Sequence, residues 1–162
     1  MPVPAIIAAA AGEFQNNTGF LEKVVAGIPP EQWLSRPNDH ANHILWIAGH
    51  VLWTRQILLG RLGTEWPHPG LEGFARSAKL DPNAAYPSPD ALLDGWRECT
   101  GVLGSTFESI TPEALAAPAP PGPPSPDGKL SGMVSVLAWH ETYHLGQIAY
   151  LRGWLGYPGI MG

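Results

Sequence analysis

Proline and glycine punctuation sets the strongest limit on what this chain can fold into. Eighteen prolines and nineteen glycines fall largely between, and seldom inside, four long stretches of helical periodicity. In the first stretch Val3, Ile7, Ala10, Phe14, Thr18, Leu21, Val25 and Ile28 recur at three- and four-residue steps. Gly27 and Pro29-Pro30 end it, so a helix is expected over residues 3–26. After "PPEQWLSRPND", with Asn38 or Asp39 as the expected N-cap, Ile44, Ile47, Val51, Thr54, Leu58 and Leu62 form a second stripe, which stops near Gly60 to Gly63. Ser88 followed by Pro89 is an N-cap and N1 pair opening a third helix. Its inward positions are Leu92, Trp96, Cys99, Leu103, Phe107 and Ile110, and it ends before Pro112. A fourth helix is expected from about Ser131 to Trp154.

Between these helices, residues 64–87 carry four prolines and no sustained period, the mark of a long connection. "APAPPGPPSPDG", residues 117–128, is barred from helix because proline lacks the amide donor and clashes with the preceding turn. No alternating strand pattern of useful length appears. Four one-sided helices bury their stripes most simply against one another, so the expected fold is all-α, a four-helix bundle forming one domain over residues 1–162. The long crossover allows helices two and three to run parallel.

Composition excludes several functions. A net charge of −5 with nine basic residues and no basic cluster offers nothing to nucleic-acid phosphates or anionic lipid. The apolar N-terminus has neither a basic flank nor the length to span a bilayer. The single cysteine, Cys99, excludes an intramolecular disulfide, and a cytoplasmic protein is expected. On its apolar helix face Cys99 reads as a small hydrophobe. Seven tryptophans are assigned to packing, and Arg55 and Arg152, off the inward stripes, to solvent.

Chemistry concentrates in "HETYHLGQIAY", residues 140–150. On a helix, His144 lies about 40° from His140 and one turn further on, so both rings reach one cation. They coincide with the stripe of Met133, Val136, Gln147 and Leu151, and two inward imidazoles need partners or a metal. Glu141, about 100° from His140, falls on the flank, as a neighbour of the metal shell or a surface charge. No His, Asp, Glu or Cys follows His144, which rules out a metallopeptidase with a downstream third ligand. Upstream, His40, His43, His50 and His68 are candidates. His43 and His50 both lie on the inward side of helix two, about 10 Å apart along the axis.

"NHILWIAGHVLWTRQILLG" followed by "HETYHLGQIAYLRGWLG" resembles the DinB/YfiT-like superfamily of four-helix-bundle metalloenzymes. In that family a histidine on the second helix joins an HxxxH pair on the last, with Gly and Gln following as Gly146 and Gln147 do here. The resemblance implies His50, His140 and His144 as ligands of a divalent ion, zinc or nickel first, then iron or manganese. It leaves His43 beside the ligands or in the core, and implies a homodimer acting on a small-molecule substrate, a low-molecular-weight thiol among the options. An open three-histidine site would activate a thiol or water, as in a thiol S-transferase or hydrolase. The other class to weigh is a noncatalytic metal-binding scaffold. The Pro-rich segment 117–128 is not part of the family pattern.

Overall fold

In a computed structural model, which describes residues 2–76, 78–81 and 84–160, the chain forms five helices and no strand among the described residues. They are α1 (Ala8–Val25), α2 (Ile44–Arg61), α3 (Pro89–Ser109), α4 (Pro112–Ala116) and α5 (Leu130–Trp154). Short 3-10 turns occupy Ala5–Ile7, Pro30–Leu34 and Glu72–Phe74. The four long helices stand where the periodicity put them, within a few residues. The first five residues expected in helix one are instead a lead-in and a 3-10 turn, since Pro4 carries an extended ψ of 135°. α4 was not expected; Thr111 caps it by accepting from the Ala114 amide, with Pro112 at its first position.

The α3 cap is the expected one, Ser88 accepting from the Ala91 amide. The α2 cap is not. His43 takes that place, its Nδ1 accepting from the Trp46 amide at 3.0 Å. Asn38 instead closes a turn onto the amides of His40 and Ala41. His43 therefore lies at the foot of α2, with its ring edge toward Tyr86, and not on the helical stripe.

Pairings along the helices fix their directions. Leu52 lies near Gly95, Arg55 bonds Thr100, and Thr64 bonds Thr106, so α2 and α3 run parallel, as the long crossover suggested. Asn17 bonds Thr142 and Val24 accepts from Arg152, which makes α1 and α5 parallel. Thr18 meets Thr100 and Glu22 meets Arg97, which sets α1 against α3. The bundle is up, down, down, up, with α5 packed on both α1 and α2 and with α3 closing the ring. The apolar stripes meet in a core that includes Phe14, Leu21, Val51, Leu58, Trp96, Leu103, Met133 and Ile148. No helix among the described residues is long and apolar enough to cross a membrane.

The core is not purely apolar. Arg55 and Glu141 are each 1% exposed and form a bidentate pair at 2.7 and 2.8 Å. Arg55 also donates to Thr100 on α3 and to the Phe14 carbonyl and Thr18 on α1, and its guanidinium stacks 3.5 Å over the Trp96 ring. One side chain thus bonds all three other long helices. This corrects the solvent-facing assignment of Arg55: fully paired, its charge has no need of water. Arg152 is corrected likewise. It is buried and donates to the carbonyls of Val24, Ala26 and Pro158, which closes the C-terminal end of α1.

The proline-rich segment forms a clasp on the start of α5. Ala119 donates to the Gly128 carbonyl, Leu130 to the Ala117 carbonyl, and the Asp127 carboxylate accepts from Lys129, Ser125 and Ser131. A side chain at Gly132 would collide with that carboxylate and displace the clasp. Gly122 lies against Arg61 at the far end of α2 from His43.

Arg55→Met should cost about 3–5 kcal/mol in urea unfolding, because it strands a buried carboxylate. Adding Glu141→Leu in the same chain should recover most of that loss, and a double variant no more stable than the single would show the pair is not coupled.

Candidate metal centre

Three helix-borne imidazoles converge at one point of the bundle. His50 of α2 and His140 and His144 of α5 each offer a ring nitrogen within 4.8 Å of the others. Ring centroids are 5.3 Å apart for His50 and His140, 4.9 Å for His50 and His144, and 4.4 Å for His140 and His144. His50 is buried and the α5 pair half-buried, so the cup has a closed floor and an open side.

Their placement follows from the orientation of α5. Thr142 faces Asn17 of α1, and Glu141 points to the bundle axis and Arg55. One residue is 100° of rotation, so His140 and, a turn later, His144 are swung toward α2. The face expected from periodicity was centred on the histidines, with Glu141 on the flank; the structure reverses these. Glu141 occupies the core and hydrogen-bonds neither histidine. Burial raises its pKa above the ordinary carboxylate range, and the charge and hydrogen bonds of Arg55 oppose that shift. Both of its oxygens accept from Arg55, so the carboxylate form is the one the geometry uses.

The outer nitrogens orient the rings. His50 Nδ1 lies 2.7 Å from the Phe74 carbonyl and His144 Nδ1 2.8 Å from Gln147 Oε1. Both partners accept, so both Nδ1 atoms carry the proton and both Nε2 lone pairs face the cup. Gln147, part of the family pattern, thus serves as an outer partner, while Tyr143 sets its ring against that of His144 and its hydroxyl oxygen accepts from Gln147 at 3.4 Å. The Phe74 carbonyl was not foreseen. It arrives because the crossover segment lies directly on α2 at Gly49, where any Cβ would come within 2.5 Å of the Phe74 ring. His50 is further sandwiched between Trp46 and Trp53, one turn to either side, with centroids at 5.0 and 5.8 Å. Those two indoles, expected only as packing, wall the ligand ring.

The donor set fits a divalent cation. His140 Nε2 and His144 Nε2 stand 3.0 Å apart, while His140 Nδ1 is buried with no partner among the described residues. Two lone pairs at that distance repel unless a proton or a cation lies between them. Burial, reinforced by the neighbouring His144, His50 and Arg76, pushes the His140 pKa down to about 4. Burial likewise lowers those of His50 and His144. Three neutral imidazoles are the protonation state that metal binding requires.

The other candidates stand apart. His43 is committed to capping α2, and His68 packs against Gly95 and Trp66 with its Nδ1 on the Pro69 carbonyl. His40 lines a cleft with Ile47 and Gln147, one turn beyond the triad. Cys99 is buried, and desolvation pushes its thiol up to about 12, which agrees with a packing role.

A helical bundle with three convergent imidazoles on its second and last long helices defines a recognisable class. The family model described as the DinB superfamily matches residues 13–148, and the chain belongs to that superfamily. Among solved structures, a conserved protein from Enterococcus faecalis superposes with a TM-score of 0.69 at 14% identity, over 90% of this chain and 94% of that one. That likeness speaks for the fold alone. No curated protein matches the sequence.

Two measurements test the site's supports. Gly49→Ala should displace Phe74 from α2, costing about 1–3 kcal/mol by overpacking and weakening metal binding about tenfold through His50. Unchanged affinity would show that the Phe74 carbonyl does not orient His50. The second test concerns His43, whose pKa burial lowers from 6.5 to about 4 with help from Arg36. The unfolded chain then binds more protons between those values, so metal-free stability should fall as pH drops from 6.5 toward 4. His43→Asn, which keeps a capping acceptor, should remove His43's share of that slope in urea melts across the same range and leave the share that the lowered pKa values of His50, His140 and His144 contribute.

Proposed function

We propose that His50, His140 and His144 hold a divalent metal ion, zinc or nickel first, and that the chain is a metal-dependent enzyme acting on a small molecule. The observation that carries this reading is the set of outer hydrogen bonds: two rings are turned so that their Nε2 lone pairs meet over a third whose own outer nitrogen is unpaired. When bound, such an ion lowers the pKa of a water or thiol it holds, which supplies a nucleophile at neutral pH.

The protein's own residues do the rest. Phe74 and Gln147 hold the imidazoles in the ligating tautomer, and the Trp46 and Trp53 indoles exclude water from both faces of His50. Glu141 is a positioning residue: its pair with Arg55 sets the rotation of α5, and it is too enclosed to carry protons to a substrate. The reaction classes this supports are transfer of a low-molecular-weight thiol onto an electrophile, the activity that the family resemblance implies, and hydrolysis.

A noncatalytic scaffold would need the ion for its fold. The Arg55 network already joins all four long helices without it, and the cup is open on the α5 side, which favours the enzyme. Elemental analysis of the purified protein should find close to one divalent ion per chain. His50→Ala and His144→Ala should each retain less than about a tenth of it after dialysis. Chelation of the parent should leave its helical circular dichroism intact; collapse of that signal would point to the scaffold, and variants as metal-rich as the parent would remove the ligand assignment.

A further inference from the structure

A cleft of about 430 Å³ lies beside the triad and is lined by none of its three imidazoles. It lies between α5 and residues 37–42, and it begins where the metal centre ends: Gln147 is bonded to His144 one turn earlier, and Ile47 precedes His50 by one turn. Its volume suits a small ligand. Ile47, Leu151 and the rings of Tyr143 and Tyr150 give it apolar walls, while no acidic side chain among the described residues lines it.

Its polar side chains are Gln147 and Tyr143 on α5, and His40 and Asn42 on the facing segment. Gln147 Oε1 is spent on the proton of His144 Nδ1, so the amide is locked with its NH2 group outward. One of those hydrogens reaches the Tyr143 oxygen, at 3.4 Å. The other, and the Tyr143 hydroxyl proton, are donors left for a ligand. Gly146 completes the floor. It stands in mid-helix, half a turn from His144, with nothing within 4 Å of where a Cβ would be. Glycine weakens a helix interior, and here it leaves open space along one edge of the cleft.

We propose that this cleft is the substrate-binding pocket of the metal centre and that it takes a small carboxylate: a molecule with an anionic, acceptor-only end toward Gln147 and Tyr143 and an apolar body along Ile47 and Tyr150. The proposal rests on the triad holding a metal, because that occupancy fixes the His144 tautomer and through it the direction of the Gln147 amide.

Calorimetric titration of the metal-loaded protein with phenylacetate, phenethylamine and acetate tests it, with the metal content of every sample measured alongside. Phenylacetate should bind about tenfold or more tighter than phenethylamine, which has the same ring and the opposite charge, and tighter than acetate, which has no apolar body. Gly146→Phe fills the cleft without touching a ligand. It should keep its metal and lose phenylacetate binding about tenfold. Gln147→Glu still accepts from His144, so it should keep its metal and favour phenethylamine over phenylacetate. A metal-loaded parent that does not prefer phenylacetate over both other probes overturns the pocket and leaves the triad standing. The pocket falls equally if either variant, with metal retained, keeps the parent's preference and affinity. A parent that binds no metal overturns both.

Discussion

Arg55 holds this bundle in one arrangement. A guanidinium buried at the centre of a helical core is tolerable only if a carboxylate meets it and its remaining hydrogens find acceptors. Glu141 supplies the first, and Thr100, Thr18 and the Phe14 carbonyl supply the second. These partners come from three different helices, so any slide or rotation of one of them breaks a charge-assisted bond in a low-dielectric interior. Apolar stripes alone would allow several nearly equal packings of α5, a helix rich in large hydrophobic residues on more than one side. Trp139, Tyr143, Tyr150 and Trp154 on its outer surface would serve an alternative core nearly as well. The ion pair removes that ambiguity.

The consequence reaches the three histidines directly. With Glu141 pinned to the axis, the residue before it and the residue three after it must look toward α2, where His50 waits. The chemistry-bearing side chains therefore do not choose their own positions. They are placed by a neighbour that never touches them.

Sequence alone carried the number of long helices, their bounds to within a few residues, the Ser88 cap and the parallel run of α2 and α3. Each depends on local signals: a period of 3.6, a capping side chain, a connection length. What sequence did not carry depends on partners distant in the chain. Arg55 and Glu141 are 86 residues apart; the first reads as a solvated charge and the second as a neighbour of the metal shell or a surface charge, so their pairing and the rotation they impose on α5 had no local mark. The Phe74 carbonyl is a main-chain atom, identical at every position, and its bond to His50 could be inferred only once the crossover was known to cross at Gly49. The histidine pair on α5 was legible because a four-residue spacing is itself local. The third histidine was picked out from four upstream candidates by resemblance to a family, not by spacing.

The sandwich of His50 between Trp46 and Trp53 carries one more consequence. Those indoles stack directly on one ring of the cup. Their emission is therefore exposed to whatever occupies it: an open-shell ion would quench their light, and a closed-shell one would leave it bright. The two indoles would thus serve as an optical gauge of any ion that the cup holds.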